Sequence, residues 1–419
     1  MSGHAAEAAT LPAVSCGRGK RRFAAKGECG MLWATRPMGG RLPLEPRTVF
    51  NQPSEVVMKE WTAPELLSLA AAHWKTSLLQ AGIRLDLFTI LGRKPMSGKD
   101  LAEHLGCDSR ALSMLLAAMT ACGLVVADAA LSPQASAAGV HDGPVAESAG
   151  PPASFADCLR VTYSVAPSAR KYLSKDSPDY LGFIIQHHHH LQPAWHRLDE
   201  AVKAGGPLRS SSSATRDDEE REAFLMGMFN VASQQAEDVA AALDLSGRTR
   251  LLDLGGGPGT YAVYFCLANP HLRATVFDKP TTRPYAEAII RRFGLEDRID
   301  FAGGDFFDDP LPQGYDAVWL SQILHGARPD EAREIVARAA RVLVPGGLIA
   351  VQEFMLDDTL DGPLFSAQFS LNMLLGTDGG QAFTRSEIAA MLRSAGALDL
   401  RWVVPPLPPG CAIMRGRVG

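Results

Sequence analysis

The residues with types and spacing suited to chemistry lie in the second half of the chain. Leu251-Leu-Asp-Leu-Gly-Gly-Gly-Pro-Gly-Thr reads as a short apolar strand, a glycine-rich turn and the start of a helix running through Tyr264. Glycines at such a turn let backbone approach a ligand and aim a helix N-terminus at it. The spacing is Gly255-x-Gly257-x-Gly259, with Thr260 where a dinucleotide fingerprint would place its third glycine. A second strand, 273–277, ends at Asp278, an acid able to take both hydroxyls of a ribose. To this point NAD would fit as well. A third strand, 299–302, runs into Gly304-Asp305-Phe306-Phe307. There a carboxylate can accept from an exocyclic amine while Phe306 stacks, a pairing suited to adenine.

A fourth strand, 317–320, leads to Ser321-Gln-Ile-Leu-His325. A helix over 330–341 precedes Val342-Leu-Val-Pro-Gly-Gly and a strand, 348–352, that ends at Glu353. Strands alternating with helices predict an α/β fold with a parallel, doubly wound sheet. Ligands of such sheets sit beyond the strand C-termini, where all of these polar residues fall.

In this order the motifs are specific. Residues 251–384 resemble the S-adenosylmethionine-dependent O-methyltransferases of the acetylserotonin and caffeate type, through LLDLGGGPG, VFDKP, IDFAGGDFFDDPLP, ILH at 323–325, PGG, Glu353 and SLNML at 370–374. The resemblance implies a Rossmann-like methyltransferase domain with S-adenosylmethionine as cofactor. It implies that Gly255 and Gly257 cradle the methionine part, with Asp253 supporting the turn. Asp278 would hold the ribose, and Gly304, Asp305 and Phe306 the adenine end. Ser321 stands where some plant relatives carry a cofactor-contacting lysine. His325 matches the general base and Glu353 the acid that steadies it. Met228, Asn372 and Met373 match positions lining the acceptor pocket.

The chemistry agrees with those types. A sulfonium methyl is already electrophilic, so the protein mainly aligns oxygen, methyl and sulfur and removes a hydroxyl proton. A neutral imidazole suits a phenol better than an aliphatic alcohol. Met and Phe residues, among them Phe224, Met226, Phe365 and Phe369, favour a flat aromatic or polyketide-like acceptor. Two departures stand out. Relatives follow the base with Asp-Trp, here Gly326-Ala327, and place a second Glu where this chain has Ala382, or Gln381 with a one-residue gap. Some relatives of this fold have exchanged methyl transfer for decarboxylation or hydroxylation while keeping the cofactor, and that is the second reading.

These motifs need a scaffold, and the first half of the chain supplies another unit. Residues 65–91 carry apolar side chains at helical spacing. Ser97 to Asp100 reads as a capping box for a helix over 101–105, and Asp108 caps a helix over 109–122 closed by Gly123. Two short helices followed by Leu124-Val-Val suggest a winged helix, with a flexible insertion over 129–155 at the wing. The resemblance makes this half a dimerisation domain, 58–205, ahead of a methyltransferase domain, 206–419.

A winged helix also invites a third reading, a non-enzymatic DNA-binding regulator. The charge count opposes it: 58–205 holds 13 Lys or Arg against 14 Asp or Glu, and the 109–122 helix has only Arg110. A helix that reads a groove needs basic and amide side chains. The apolar Leu112, Leu115, Leu116 and Met119 point instead to a protein partner and a homodimer. His187 to His190 sit in a helical stretch, but adjacent residues face different sides and no acid or cysteine nearby completes a metal site.

Composition sets the remaining limits. The 419 residues, 46% hydrophobic and 21% charged, are enough for more than one core. The net charge of -5 argues against coating nucleic acid or an anionic membrane. No apolar run reaches the roughly 18 residues of a spanning helix. Seven scattered cysteines without a CxxC pair suggest a reducing, cytoplasmic setting. Residues 1–57, basic and broken by Gly and Pro, read as a disordered leader, with Met58 an alternative start.

Overall fold

The structure is a computed structural model that describes residues 60–127, 155–208 and 217–419. The leader, Met58 and all of the 129–155 insertion but its last residue lie outside the described residues.

The first unit begins with α1 (Ala63–Ala70), capped by Thr62 in a reciprocal box with Glu65. It continues through α2 (Ala72–Arg84), α3 (Leu87–Arg93), β1 (Met96–Ser97), α4 (Gly98–Leu105), α5 (Ser109–Ala121), β2 (Val125–Ala127), α6 (Phe155–Cys158), β3 (Thr162–Val165) and α7 (Pro167–Leu173). The apolar pattern over 65–91 is therefore three helices rather than one. The last break is at Asp86, which adopts a left-handed conformation at φ 54°. Asp tolerates that region better than most residues do. Ser97 caps α4 by accepting from the Asp100 N–H. The strand order is β1-β3-β2, with α4 and α5 between β1 and β2.

One expectation fails here. Leu112, Leu116 and Met119 of α5 do not face a partner: they are buried in this unit's own core with Leu87, Phe88 and Leu101. A three-stranded sheet this small leaves the helices to enclose the core themselves, and α5 spends its apolar face on that. Apolar surface is exposed elsewhere, on Leu66, Leu67, Leu69 and Trp74 of α1 and α2.

Helices α8 (Gly182–Trp195), α9 (Leu198–Ala204), α10 (Asp218–Ser233) and α11 (Ala236–Ala242) bridge to the second unit. There follow β4 (Arg250–Leu254), α12 (Thr260–Ala268), β5 (Arg273–Asp278), α13 (Arg283–Arg292), β6 (Ile299–Gly303), β7 (Tyr315–Ser321), α14 (Pro329–Arg341) and β8 (Leu343–Phe354). The chain ends with α15 (Leu364–Gly376), α16 (Arg385–Ser394), β9 (Ala397–Val403) and β10 (Cys411–Val418).

The sheet order is β6-β5-β4-β7-β8-β10-β9. The first five strands are parallel, as expected. The sheet as a whole is mixed, because β10 runs antiparallel between β8 and β9. Apolar clusters cover both faces, one around Val318, Leu320 and Ile349, the other around Phe265, Trp319 and Ile413. Burial on both faces explains why β4 and β7 are nearly continuous apolar runs. It also leaves the strand C-termini as the polar edge.

Candidate active site

At the tip of β4, Asp253 is 1% exposed and its Oδ2 accepts from the Ala262 N–H at 3.3 Å, in the first turn of α12. Burial pushes its carboxyl up to about 7, against that hydrogen bond. The turn it supports has no room for a side chain at Gly255 or Gly256. A Cβ on Gly256 would lie 2.6 Å from the Asp253 carboxyl carbon, and one on Gly255 would lie 2.6 Å from Ile323 Cγ2. Gly255 is also left-handed, at φ 68°.

Asp278, at the tip of β5, reaches across to this turn. Its Oδ2 accepts from the Gly257 N–H at 2.8 Å, and its Oδ1 from the Lys279 N–H at 2.7 Å and the Thr282 hydroxyl at 2.9 Å. Burial raises its carboxyl above the ordinary range, while these three donors work the other way. The Gly304 N–H donates to the Asp278 carbonyl at 3.0 Å. Just beyond β6, the Asp305 carboxylate accepts from the Phe307 N–H at 3.0 Å and stands 3.8 Å from Lys279 Nζ. The Phe306 ring is 4.7 Å from that of Phe307. Three successive strand tips thus present their acids along one edge.

His325 and Glu353 lie at the ends of the fourth and fifth strands, β7 and β8. His325 lies on a short 3-10 turn, Leu324–Gly326, after β7. Its Nδ1 is 2.7 Å from Oε2 of Glu353, which is 1% exposed near the end of β8. Glu353 Oε1 accepts from the Ile323 N–H at 2.9 Å and the Leu324 N–H at 2.8 Å. A carboxylate on Nδ1 assigns that nitrogen the hydrogen, so Nε2 carries the lone pair. Phe369 of α15 meets the imidazole edge to face, with centroids 4.7 Å apart. Phe354 joins Phe369 at 4.8 Å and Phe365 at 4.7 Å. Reading the sequence misses Phe354; its place beside Glu353 at the end of β8 is the signal that could have found it.

The remaining candidate residues are placed as follows. Ser321 ends β7. Asn372 Oδ1 accepts from Trp195 Nε1 at 3.0 Å, tying α15 to α8. Met373 is buried on α15, and Met228 is half-buried on α10, which packs against α8. The turn bearing Ala382 abuts His325: a Cβ on Gly380 would lie 2.4 Å from the His325 carbonyl oxygen. Ala382 itself is buried, with its N–H on Ser370 Oγ at 3.2 Å. No group of three or more His, Cys, Asp or Glu among the described residues could hold a metal ion.

Residues 195–397 match the family model of an O-methyltransferase domain, and 67–147 match that of an O-methyltransferase dimerisation domain. The chain is 34% identical to the 3-hydroxy-5-methyl-1-naphthoate 3-O-methyltransferase of Streptomyces sahachiroi, over 84% of this chain and 95% of that one. The chain belongs to the O-methyltransferase family. The methyltransferase is also 33% identical to the tetracenomycin polyketide synthesis 8-O-methyl transferase of Streptomyces glaucescens, over 84% of this chain and 96% of that one. Among solved structures it is similar to human N-acetylserotonin methyltransferase in complex with S-adenosylmethionine. The TM-score is 0.71 at 26% identity, covering 86% of this chain and 99% of that one. It is an S-adenosylmethionine-dependent enzyme of the α/β class with an N-terminal dimerisation domain. No described helix of the methyltransferase is long and apolar enough to cross a membrane.

Proposed function

We propose that the enzyme methylates a hydroxyl on a small aromatic molecule, with His325 as general base. The carrying observation is the Glu353–His325 pair on the sheet edge that holds the glycine turn, with Ile323 packed over Gly255. The residues at that edge fit S-adenosylmethionine. Gly255 and Gly256 leave a cradle that a Cβ would fill, and Asp278 and Asp305 offer acceptors for a ribose and an amine. Asp253, Gly257, Gly304, Phe306 and Ser321 complete the cofactor set.

The bound cofactor supplies an electrophilic methyl. The chain's own residues supply alignment and a proton acceptor. His325 Nε2 takes the acceptor's hydroxyl proton, and Glu353 stabilises the imidazolium that results. Base catalysis of this kind contributes about 100- to 10,000-fold. The ring wall of Phe354, Phe365 and Phe369 suits a flat acceptor, and Met228, Asn372 and Met373 line the remainder. Turnover against a panel of naphthols and hydroxynaphthoates tests this. Methylation of none of them, with cofactor binding intact, would favour the second reading. One observation supports that reading: Ala382 puts no acid on the second side of His325.

The domain division is taken as 58–205 and 206–419. The enzyme works as a homodimer through the first of these, with no nucleic-acid partner. Support comes from Leu67 and Trp74, 72% and 69% exposed on adjacent helices. Light scattering tests it, and a monomer for the wild type would sink it. The described cysteines are free thiols, which fits the cytoplasm.

A further inference from the structure

On α15, Phe365, Phe369 and Asn372 stand at positions i, i+4 and i+7, which share one face of a helix. Phe369 on that face meets the His325 imidazole, and Phe365 meets Phe354. Asn372 is thus the polar member of the stripe that carries the ring wall. At roughly 1.5 Å per residue it lies about 4.5 Å along the helix from Phe369. Asn372 is also met from α8. Trp195, the last residue of that helix, is half-buried, and its Nε1 is 3.0 Å from Asn372 Oδ1. An indole N–H can only donate, so the amide turns its oxygen to Trp195. An asparagine amide held by no neighbour presents either end; here the choice is made. The two hydrogens on Nδ2 have no partner among the described residues. Asn372 is half-buried, yet Nδ2 is not among the buried polar atoms left unpaired, so it is open to solvent or to a ligand.

We propose that Trp195 is a positioning residue that sets acceptor specificity. By holding Asn372 Oδ1 it leaves the amide nitrogen for the acceptor, and so selects ring systems that bear a carbonyl oxygen besides the hydroxyl to be methylated. The inference rests on the reading of the Phe354, Phe365 and Phe369 wall as the acceptor's seat. A carbonyl takes an Nδ2 hydrogen. An amine at the same ring position brings hydrogens to hydrogens and leaves both groups unpaired. A site built around one polar contact rejects the analogue that cannot make it. Trp195→Phe keeps an aromatic ring and deletes the donor. The amide is then free to turn over and offer its oxygen to the amine.

The probes are acetylnaphthols, each paired with the aminonaphthol of the same substitution pattern. They are titrated calorimetrically into the full-length protein saturated with S-adenosylhomocysteine. The wild type should bind at least one ketone about 10-fold or more tighter than its amine. Trp195→Phe should bring that ratio to within about 3-fold, with S-adenosylhomocysteine affinity unchanged. Asn372→Asp, which offers only accepting oxygens, should reverse the preference. A ratio that survives in Trp195→Phe would overturn the proposal, as would a wild type that binds every pair equally or binds none. Should Trp195→Phe fail to fold, Asn372→Asp decides, and a ketone preference retained there overturns it. Binding is read without turnover. A wild type that methylates no probe while keeping the binding ratio would therefore fail the assignment of His325 and leave this one standing.

Discussion

Glu353 serves three donors with two oxygens: one oxygen takes the Ile323 and Leu324 N–H groups, the other takes His325 Nδ1. The backbone turn and the ring are thus fixed by the same side chain. The orientation of Nε2 follows from that arrangement.

Replacing His325 by Ala should cut turnover by at least ~100-fold while leaving S-adenosylmethionine affinity nearly intact. Steady-state rates and calorimetry on one preparation check both halves. An unchanged rate would remove His325 from the mechanism.

Glu353→Gln should be far from conservative. An amide has one accepting oxygen, so either the imidazole or the two backbone N–H groups would face its NH₂. A stability loss of about 1–3 kcal/mol is expected from the unpaired donors, with turnover down on the order of 100-fold or more as the tautomer is released. Urea denaturation and kcat measure the two effects. Wild-type values for both would show that Glu353 does not hold the ring.

Asp278→Ala should weaken cofactor binding by about 10-fold or more, since charge-assisted hydrogen bonds are the strong ones. It also frees the Gly257 N–H that now bonds the carboxylate. Titration with S-adenosylmethionine reads the loss. Equal affinity in the variant would move the ribose to another residue.

Asp253 makes stability depend on pH with a definite sign. Its folded carboxyl, at about 7, sits above the ordinary value of 3.8, so the folded state holds the proton more tightly. Stability from this group is complete below the unfolded value and declines as pH rises towards 7, by up to about 4 kcal/mol. Asp253→Asn should flatten the change in urea midpoint between pH 5 and pH 8. A variant whose midpoint falls as steeply as the wild type's would assign the pH dependence elsewhere.

Much of the candidate site is legible in sequence because parallel strands buried on both faces give way to polar residues at their C-terminal ends. Asp278 ends β5, Glu353 stands one residue from the end of β8, and His325 lies on the 3-10 turn that follows β7. The contact between Phe369 and His325 was not legible. Helix α15, LFSAQFSLNMLLG, has apolar side chains on nearly every face, so its periodicity does not say which one meets the base. The antiparallel pair β9 and β10 also escaped, because Pro-rich sequence separates two strands of mixed polarity. The break at Asp86 carries no Gly or Pro to announce it. The face of α5 misled because an apolar stripe looks the same whether its own core or another chain covers it.

The pairing of Ala412 with Glu353 has a consequence for synthesis on the ribosome. The strands that carry Asp253 and Asp278, and the one that leads to Asp305, emerge earlier and pair with one another. The strand that holds Glu353 gains its second neighbour only when β10 has emerged. A nascent chain can therefore pair β4, β5 and β6 while β8, with Glu353, is still open at the edge. Activity would then await β10, after the cofactor cradle has formed.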